Sequence, residues 1–162
     1  METLEAIRTK RAVRQYTDEP VPEETIEMIL NAGRLAQSSK NTQPWHFVVL
    51  RDRERLRALA ECGRYADHVA DSAFTVVILQ NTEWSFDIGQ AAAYMQLAGW
   101  DLGVSSCLVY LHDSECARKL LEAPESAGIE MAIAFGYAAQ PQGAPSPAGR
   151  RDFKQVVHWE RW

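Results

Sequence analysis

From Phe86 to Leu102 the chain places apolar or small side chains at Ile88, Ala91, Ala92, Met95, Ala98, Gly99 and Leu102. Steps of three, four and seven put all of them on one face of a helix. Most are small, so the helix predicted here packs closely against another helix. An intensely apolar run rich in β-branched residues, Phe74 to Leu79, precedes it, and a second strand-like run, Ser105 to Tyr110, follows. A long close-packing helix set between two buried strands confines the chain to mixed α/β (α+β) architectures, with helices laid on a sheet.

The flanking sequence extends the same alternation. Residues 3 to 9 read as a short helix with Leu4 and Ile7 on one side, and Thr17-Asp18-Glu19-Pro20-Val21-Pro22 must break any helix. A second helix begins near Pro22, with Glu23 and Glu24 where the helix dipole favours acids, and Ile26, Ile29, Leu30 and Gly33 mark its buried face. Gln37 to Pro44 has no apolar period and reads as a loop, followed by a strand from Trp45 to Leu50. A charged helix over Arg53 to Cys62, a short helix capped by Ser114 and a fourth strand over Glu130 to Tyr137 complete the alternation. The remainder, Ala139 to Trp162, contains Pro141, Pro145 and Pro147 and regains strand-like character at Gln155 to His158. Its Phe153, Val156, Val157, Trp159 and Trp162 are too apolar for a free linker and should dock on something, a partner subunit being a good candidate. Residues 1–162 suit a single domain, since a chain of this length buries roughly two thirds of its unfolded surface.

Charge and composition exclude several roles. A net charge of -5 repels polyanions and argues against nucleic acid as a partner. The longest apolar stretch, Ala73 to Leu79, is far too short to cross a bilayer, so no membrane is expected. Met1-Glu2-Thr3-Leu4-Glu5 is acidic and lacks the pattern of a secretory signal, which makes a cytoplasmic location the expectation. Cys62, Cys107 and Cys116 are odd in number and form no Cys-x-x-Cys, so they read as free thiols rather than a disulfide or zinc framework. His46, His68, His112 and His158 are dispersed, and no metal site is expected.

Two segments carry recognisable chemistry. In Lys10-Arg11-Ala12-Val13-Arg14-Gln15-Tyr16, any helical turn would bring at least two cations to one side, which suits a terminal phosphate. In Ser38-Ser39-Lys40-Asn41-Thr42-Gln43-Pro44-Trp45, small hydroxyl and amide residues let backbone groups approach the edge of a flat ring before Pro44 and Trp45 open a strand. Each alone has a plainer reading, a solvated basic helix end and a well-made helix-to-strand turn. Together they suit a flat anionic cofactor. Gly149-Arg150-Arg151 could return two further cations to the same phosphate.

The combined pattern resembles the nitroreductase family of flavin mononucleotide (FMN)-dependent oxidoreductases. The basic N-terminal segment matches one family signature, and Asn41-Thr42-Gln43-Pro44-Trp45 matches the most specific one. The helix containing Asp87-Ile88-Gly89-Gln90-Ala91-Ala92, the Leu102-Gly103 pair and Val156-Val157-His158 also look like family counterparts. The resemblance implies a mostly antiparallel or mixed central sheet flanked by helices, in an intertwined homodimer that exchanges its C-terminal tails. It implies that Lys10 and Arg11, with Ala12 beside them, meet the phosphate and ribityl end. Arg14 would lie at the pyrimidine N1/C2 carbonyl edge as an electrostatic tuner. Ser38, Ser39, Asn41 and Gln43 would contact the ring from the partner subunit. Tyr110 and Leu111 would direct a backbone N–H at flavin N5, and Arg150 or Arg151 would complete the phosphate site.

The chain departs from the pattern in places. Ala12 stands at a serine position, Gln37 at a proline position and Ala148 at a lysine position, and the short connection from Asn81 to Ser85 leaves no room for a substrate-covering lid. The implied activity is hydride uptake from NADH or NADPH, followed by transfer from flavin N5 to a nitroaromatic, quinone or similar small-molecule acceptor, in a ping-pong cycle that needs no side-chain nucleophile. Dehalogenation and flavin fragmentation are the alternatives within the same resemblance, and a non-catalytic flavin-binding or storage protein is the rival from another class.

Overall fold

The computed structural model describes residues 1–81, 85–142 and 150–162. Five helices, α1 (Thr3–Thr9), α2 (Glu23–Arg34), α3 (Arg53–Glu61), α4 (Ser85–Asp101) and α5 (Ser114–Leu121), accompany four strands, β1 (Trp45–Leu50), β2 (Phe74–Gln80), β3 (Ser105–Tyr110) and β4 (Gly128–Gly136). Among the described residues the strands form one antiparallel sheet in the order β1-β2-β4-β3, so the architecture is α+β. The bounds of β1 and β3 coincide with those read from the sequence.

Both faces of the sheet are covered, which is why β2 is buried at every position and reads as an unbroken apolar run. Phe74, Val76 and Ile78 point to one face with Ile133 and Phe135 of β4, and α2 and α4 close that side through Ile26, Ile29, Ile88, Ala91, Ala92 and Met95. The Phe74 and Phe135 rings stack with centroids 4.8 Å apart. The expected close approach of α4 is made to α2: a Cβ on Gly33 would lie 2.6 Å from the Met95 side chain. On the opposite face Val77 and Leu79 join Ala132, Ala134, Val109 and Leu111 under α3 and α5.

Local capping differs in one place from expectation. The α5 N-cap is Asp113, whose carboxylate accepts from the Cys116 N–H at 2.8 Å, and Ser114 is already inside the helix. Asp52 caps α3 in the same manner. A carboxylate serves better than a hydroxyl here because it also opposes the positive end of the helix dipole.

Two further expectations are corrected. Gln155 to His158 is not a strand; the tail forms a 3₁₀ turn over Phe153–Gln155, held by a reciprocal capping box with Asp152. The cysteines are not all free. Cys62 and Cys116 form a disulfide with Cα atoms 5.5 Å apart, and only Cys107 remains a free thiol. The pairing joins residues 54 apart in sequence, the C-cap of α3 to the first turn of α5, so no local spacing announced it.

Candidate functional site

The basic N-terminal segment is not helical. Helix α1 ends at Thr9, Lys10 follows in extended backbone, and the chain runs alongside the free edge of β3. Ala12 bridges Ser106 in parallel sense, and the Val13 N–H donates to the Ser106 carbonyl at 3.0 Å. Extended backbone alternates faces, so Lys10, Ala12 and Arg14 share one side and the buried Val13 takes the other. The two cations therefore share one side of an extended segment, about 13 Å apart along the backbone, instead of lying on adjacent turns of a helix.

Tyr16 locks this segment down. Its ring lies where a Cβ on Gly136 would come within 2.9 Å, so only glycine admits it there. Its hydroxyl donates toward the Val13 carbonyl at 2.6 Å and lies 3.2 Å from the Ala134 carbonyl. The α1 end is fixed in turn by Trp100, whose Nε1–H donates to Thr9 Oγ1 at 2.9 Å.

The positive charges of Lys10 and Arg14 both act on the buried Cys107 thiol. Burial pushes that thiol above its ordinary range, against the pull of the two cations. Burial likewise lowers the proton affinity of Lys10. Arg14 is exposed, and no ion pair or side-chain hydrogen bond with a described residue engages it. Arg11 is placed differently: its Nη1 donates to the carbonyls of Arg8, Thr9 and Lys10 at 3.1, 3.0 and 2.9 Å, capping the negative end of α1.

His68, which sequence reasoning left among the dispersed histidines, is buried and feels the Arg14 charge. It sits in a 3₁₀ turn (Asp67–Val69) and is only 8% exposed, and its Nε2 has no hydrogen-bond partner. Burial foremost, and then the nearby Arg14 charge, lower its proton affinity, so the ring is neutral at neutral pH. The turn is rigidly seated. Arg53 Nη1 donates to the Ala70 and Ser72 carbonyls at 3.3 and 3.1 Å, and Ser72 Oγ donates to the Val69 carbonyl at 2.8 Å.

The Ser38–Gln43 loop is built with strain. Lys40, Asn41 and Gln43 all have positive φ, at 51°, 56° and 49°. Each such residue costs of order 1 kcal/mol unless its surroundings impose it. Ser38 Oγ accepts from the Gln43 N–H at 2.9 Å, Gln43 Nε2 donates to the Asn41 carbonyl at 3.3 Å, and the buried Asp87 carboxylate of α4 accepts from the Ser39 N–H at 3.0 Å. Asp87, named in the sequence only as part of the family-like helix, is the anchor of the loop; an acid in a first helical turn was its signal. These bonds tie the loop to the first turn of α4, and no hydrogen bond or ion pair among the described residues links it to Lys10 or Arg14.

The remaining candidates lie at the exit of β3 and in the tail. Leu111 is buried, while Tyr110 is exposed and meets His112 edge-on at 4.8 Å between centroids. The Arg64 N–H donates to His112 Nδ1 at 3.2 Å, and the Asp113 N–H donates to the Cys62 carbonyl at 3.0 Å, so the disulfide-linked ends of α3 and α5 fix this exit. Arg150 and Arg151 are exposed. Gly149, Ala148, Pro147 and Pro145, and residues 82–84 of the short connection where a lid would stand, lie outside the described residues.

Comparison with known proteins bears on this arrangement. The profile of the "Nitroreductase family" matches residues 7–80 and 80–137. A Methanothermobacter thermautotrophicus protein named "Putative NADH dehydrogenase/NAD(P)H nitroreductase" is 33% identical over 100% of this chain and 88% of its own length. The structure of an FMN-dependent nitroreductase from Clostridium difficile superposes with a TM-score of 0.90 at 26% identity, covering 98% of this chain and 99% of that one. A structure from Desulfovibrio desulfuricans, described as a "putative nitroreductase in complex with FMN", gives a TM-score of 0.88 at 29% identity, covering 100% of this chain and 98% of that one.

Proposed function

The chain belongs to the nitroreductase family, and from that premise we propose that it is a homodimeric FMN-dependent oxidoreductase. In this reading it takes hydride from NADH or NADPH and passes electrons to a nitroaromatic, quinone or similar acceptor. The observation that carries the proposal is the extended segment at the β3 edge, which puts Lys10 and Arg14 on one side and leaves Arg14 exposed with no ion pair or side-chain hydrogen bond to a described residue. Two cations so placed fit a ligand with a phosphate at one end and a polar, electron-accepting ring edge at the other.

When bound, FMN would supply the hydride-accepting and electron-donating chemistry at its N5. The chain's own residues bind and orient. Lys10, joined by Arg150 or Arg151 of the tail, would hold the phosphate. Arg14 would hold the N1/C2 carbonyl edge, where its fixed charge favours negative charge. The backbone at Tyr110 and Leu111, at the β3 exit fixed by the Cys62–Cys116 link, would present an N–H to N5. Ala12 offers no hydroxyl to the ribityl chain, so retention depends more on Lys10 and Arg14. One open pocket then serves reductant and acceptor in turn, giving ping-pong kinetics.

Two copies suit this reading because Asp87 ties Ser39 of the loop to α4, and no hydrogen bond or ion pair among the described residues links the loop to Lys10 or Arg14. A second chain brings its Ser38, Ser39, Asn41 and Gln43 to the ring. The tail supports the same arrangement: Phe153, Trp159 and Trp162 are 64, 77 and 100% exposed, a costly display of aromatic surface unless a second copy covers it.

The test is spectroscopic. Protein loaded with FMN should lose its yellow colour on addition of NADH or NADPH without oxygen, and regain it with a nitroaromatic or quinone. The chain truncated after Gln140 should be a colourless monomer. Flavin that binds yet is reduced by neither nucleotide would leave a binding protein, and a truncated chain that stays a yellow dimer would remove the tail from the site.

A further inference from the structure

The Cys62–Cys116 disulfide joins two pieces of the fold that also hold each other without it. Arg55 Nη2 of α3 donates to the Leu120 carbonyl of α5 at 2.9 Å, and the Asp113 N–H donates to the Cys62 carbonyl at 3.0 Å. Beneath them the buried Leu56 and Leu59 of α3 and Ala117 of α5 belong to one apolar cluster. Cutting the bond therefore leaves α3 and α5 packed, with two thiols facing each other and placed to pair again. The bond is also approachable from one side only. Cys62 is 1% exposed, whereas Cys116 is partly exposed in the first turn of α5. Exchange with an outside thiol depends on such access to one of the two sulfurs.

What the bond adds is firmness where β3 ends. Two sulfurs that are no longer bonded must part to van der Waals contact. Cys62 is set in the core, so the displacement falls on the first turn of α5 and on its N-cap, Asp113. The residues just before that cap are seated against the end of α3. The Arg64 N–H donates to His112 Nδ1 at 3.2 Å, and a Cβ on Gly63 would lie 3.1 Å from the Tyr110 carbonyl oxygen. Movement of the cap loosens this seating.

We propose that the Cys62–Cys116 link is a reversible thiol–disulfide switch, opened by a dithiol from the Cys116 side, whose state sets how firmly residues 110–113 are held. One thiolate of the dithiol attacks Cys116 Sγ to form a mixed disulfide, and Cys62 leaves and takes a proton. The second thiol then attacks the reagent sulfur of that mixed disulfide and releases Cys116 as a thiol. The protein gains two electrons and two protons, and the dithiol is oxidised to its disulfide. A disulfide of the same class closes the link by the reverse steps. The switch does not depend on the FMN reading, although in that reading the loosened segment is the one that faces N5.

The test places the full-length protein, as purified, in mixtures of reduced and oxidised dithiothreitol. Thiols are counted by alkylation after denaturation, and amide hydrogen exchange of the native protein is followed by mass spectrometry. The count should rise from the single Cys107 to all three cysteines as the mixture becomes reducing, with the protein still folded, and should fall back when oxidised reagent is restored. Exchange at residues 110–113 should quicken by about tenfold or more in step with the count, while β2 stays unchanged. Cys116→Ser cannot form the link and should show the fast exchange in every mixture. A bond that opens only when the whole protein unfolds is a fixed staple and overturns the proposal. Thiols that do not pair again overturn it too, as does opening with no change at residues 110–113. The wild-type titration needs no substitution, so it decides the matter even if Cys116→Ser does not fold. No readout involves flavin, so this result and the FMN reading fail separately.

Discussion

Arg14→Ala is expected to weaken FMN binding by about ten- to a hundredfold while leaving the melting temperature of the flavin-free protein unchanged. The first half follows from a charge-assisted hydrogen bond contributing roughly 1.5–3 kcal/mol, with about 1.4 kcal/mol per factor of ten. The second follows from the structure: Arg14 is exposed and makes no ion pair or side-chain hydrogen bond with a described residue, so the fold does not lean on it. Arg14→Lys should recover part of the affinity, because it keeps the charge but not the planar fork. Equilibrium titration beside a thermal melt separates the two effects. An unchanged dissociation constant would remove Arg14 from the site, and a large loss of stability would make it a structural residue.

The double substitution Cys62→Ser/Cys116→Ser is expected to be the most destabilising change short of disrupting the core. The bridge spans 54 residues, and cross-linking a loop of that length stabilises by up to about 4 kcal/mol through the entropy it removes from the unfolded chain. For a chain of this size that corresponds to a fall of roughly 8–16 °C in melting temperature. Cys62 is 1% exposed in the cluster beneath α3 and α5, so serine also places a hydroxyl in an apolar site. The matching chemical test counts thiols in the unfolded protein: the single Cys107 without reductant, and all three cysteines after reduction. Three thiols without reductant, together with a melting temperature indifferent to reductant, would refute the cross-link. Its placement gives it a second consequence. Asp113 and His112 are bonded to the α3 end at Cys62 and Arg64, so loss of the bridge should also loosen the β3 exit.

The sequence disclosed the elements more fully than their long-range chemistry. Strands β1 and β3 were legible to the residue because each is a short β-branched or aromatic run closed by turn residues, and α4 because its small face repeats at helical spacing. Lys10 to Arg14 was misjudged in geometry, since nothing local says that the chain leaves α1 at Thr9 to run along an edge strand; the bond from Val13 to Ser106 decides that. Helical and extended periodicity alike put Lys10 and Arg14 on one side, which is all the spacing determines. The Cys62–Cys116 link was out of reach because its partners are 54 residues apart in sequence. The strain at Lys40, Asn41 and Gln43 was hidden as well, because no glycine marks it; a buried carboxylate, Asp87, holds the loop in place instead.

The central claim is that cations from the N-terminal segment and the tail gather a phosphate at one end of a ring that Arg14 holds at the other. Its most direct test titrates flavin-free protein in parallel with FMN and with riboflavin, which has the same ring and no phosphate. The account expects FMN to bind stoichiometrically, one per chain, and riboflavin at least about a hundredfold more weakly, as befits the loss of several charge-assisted bonds. Equal affinity for the two, or binding of neither, would contradict it.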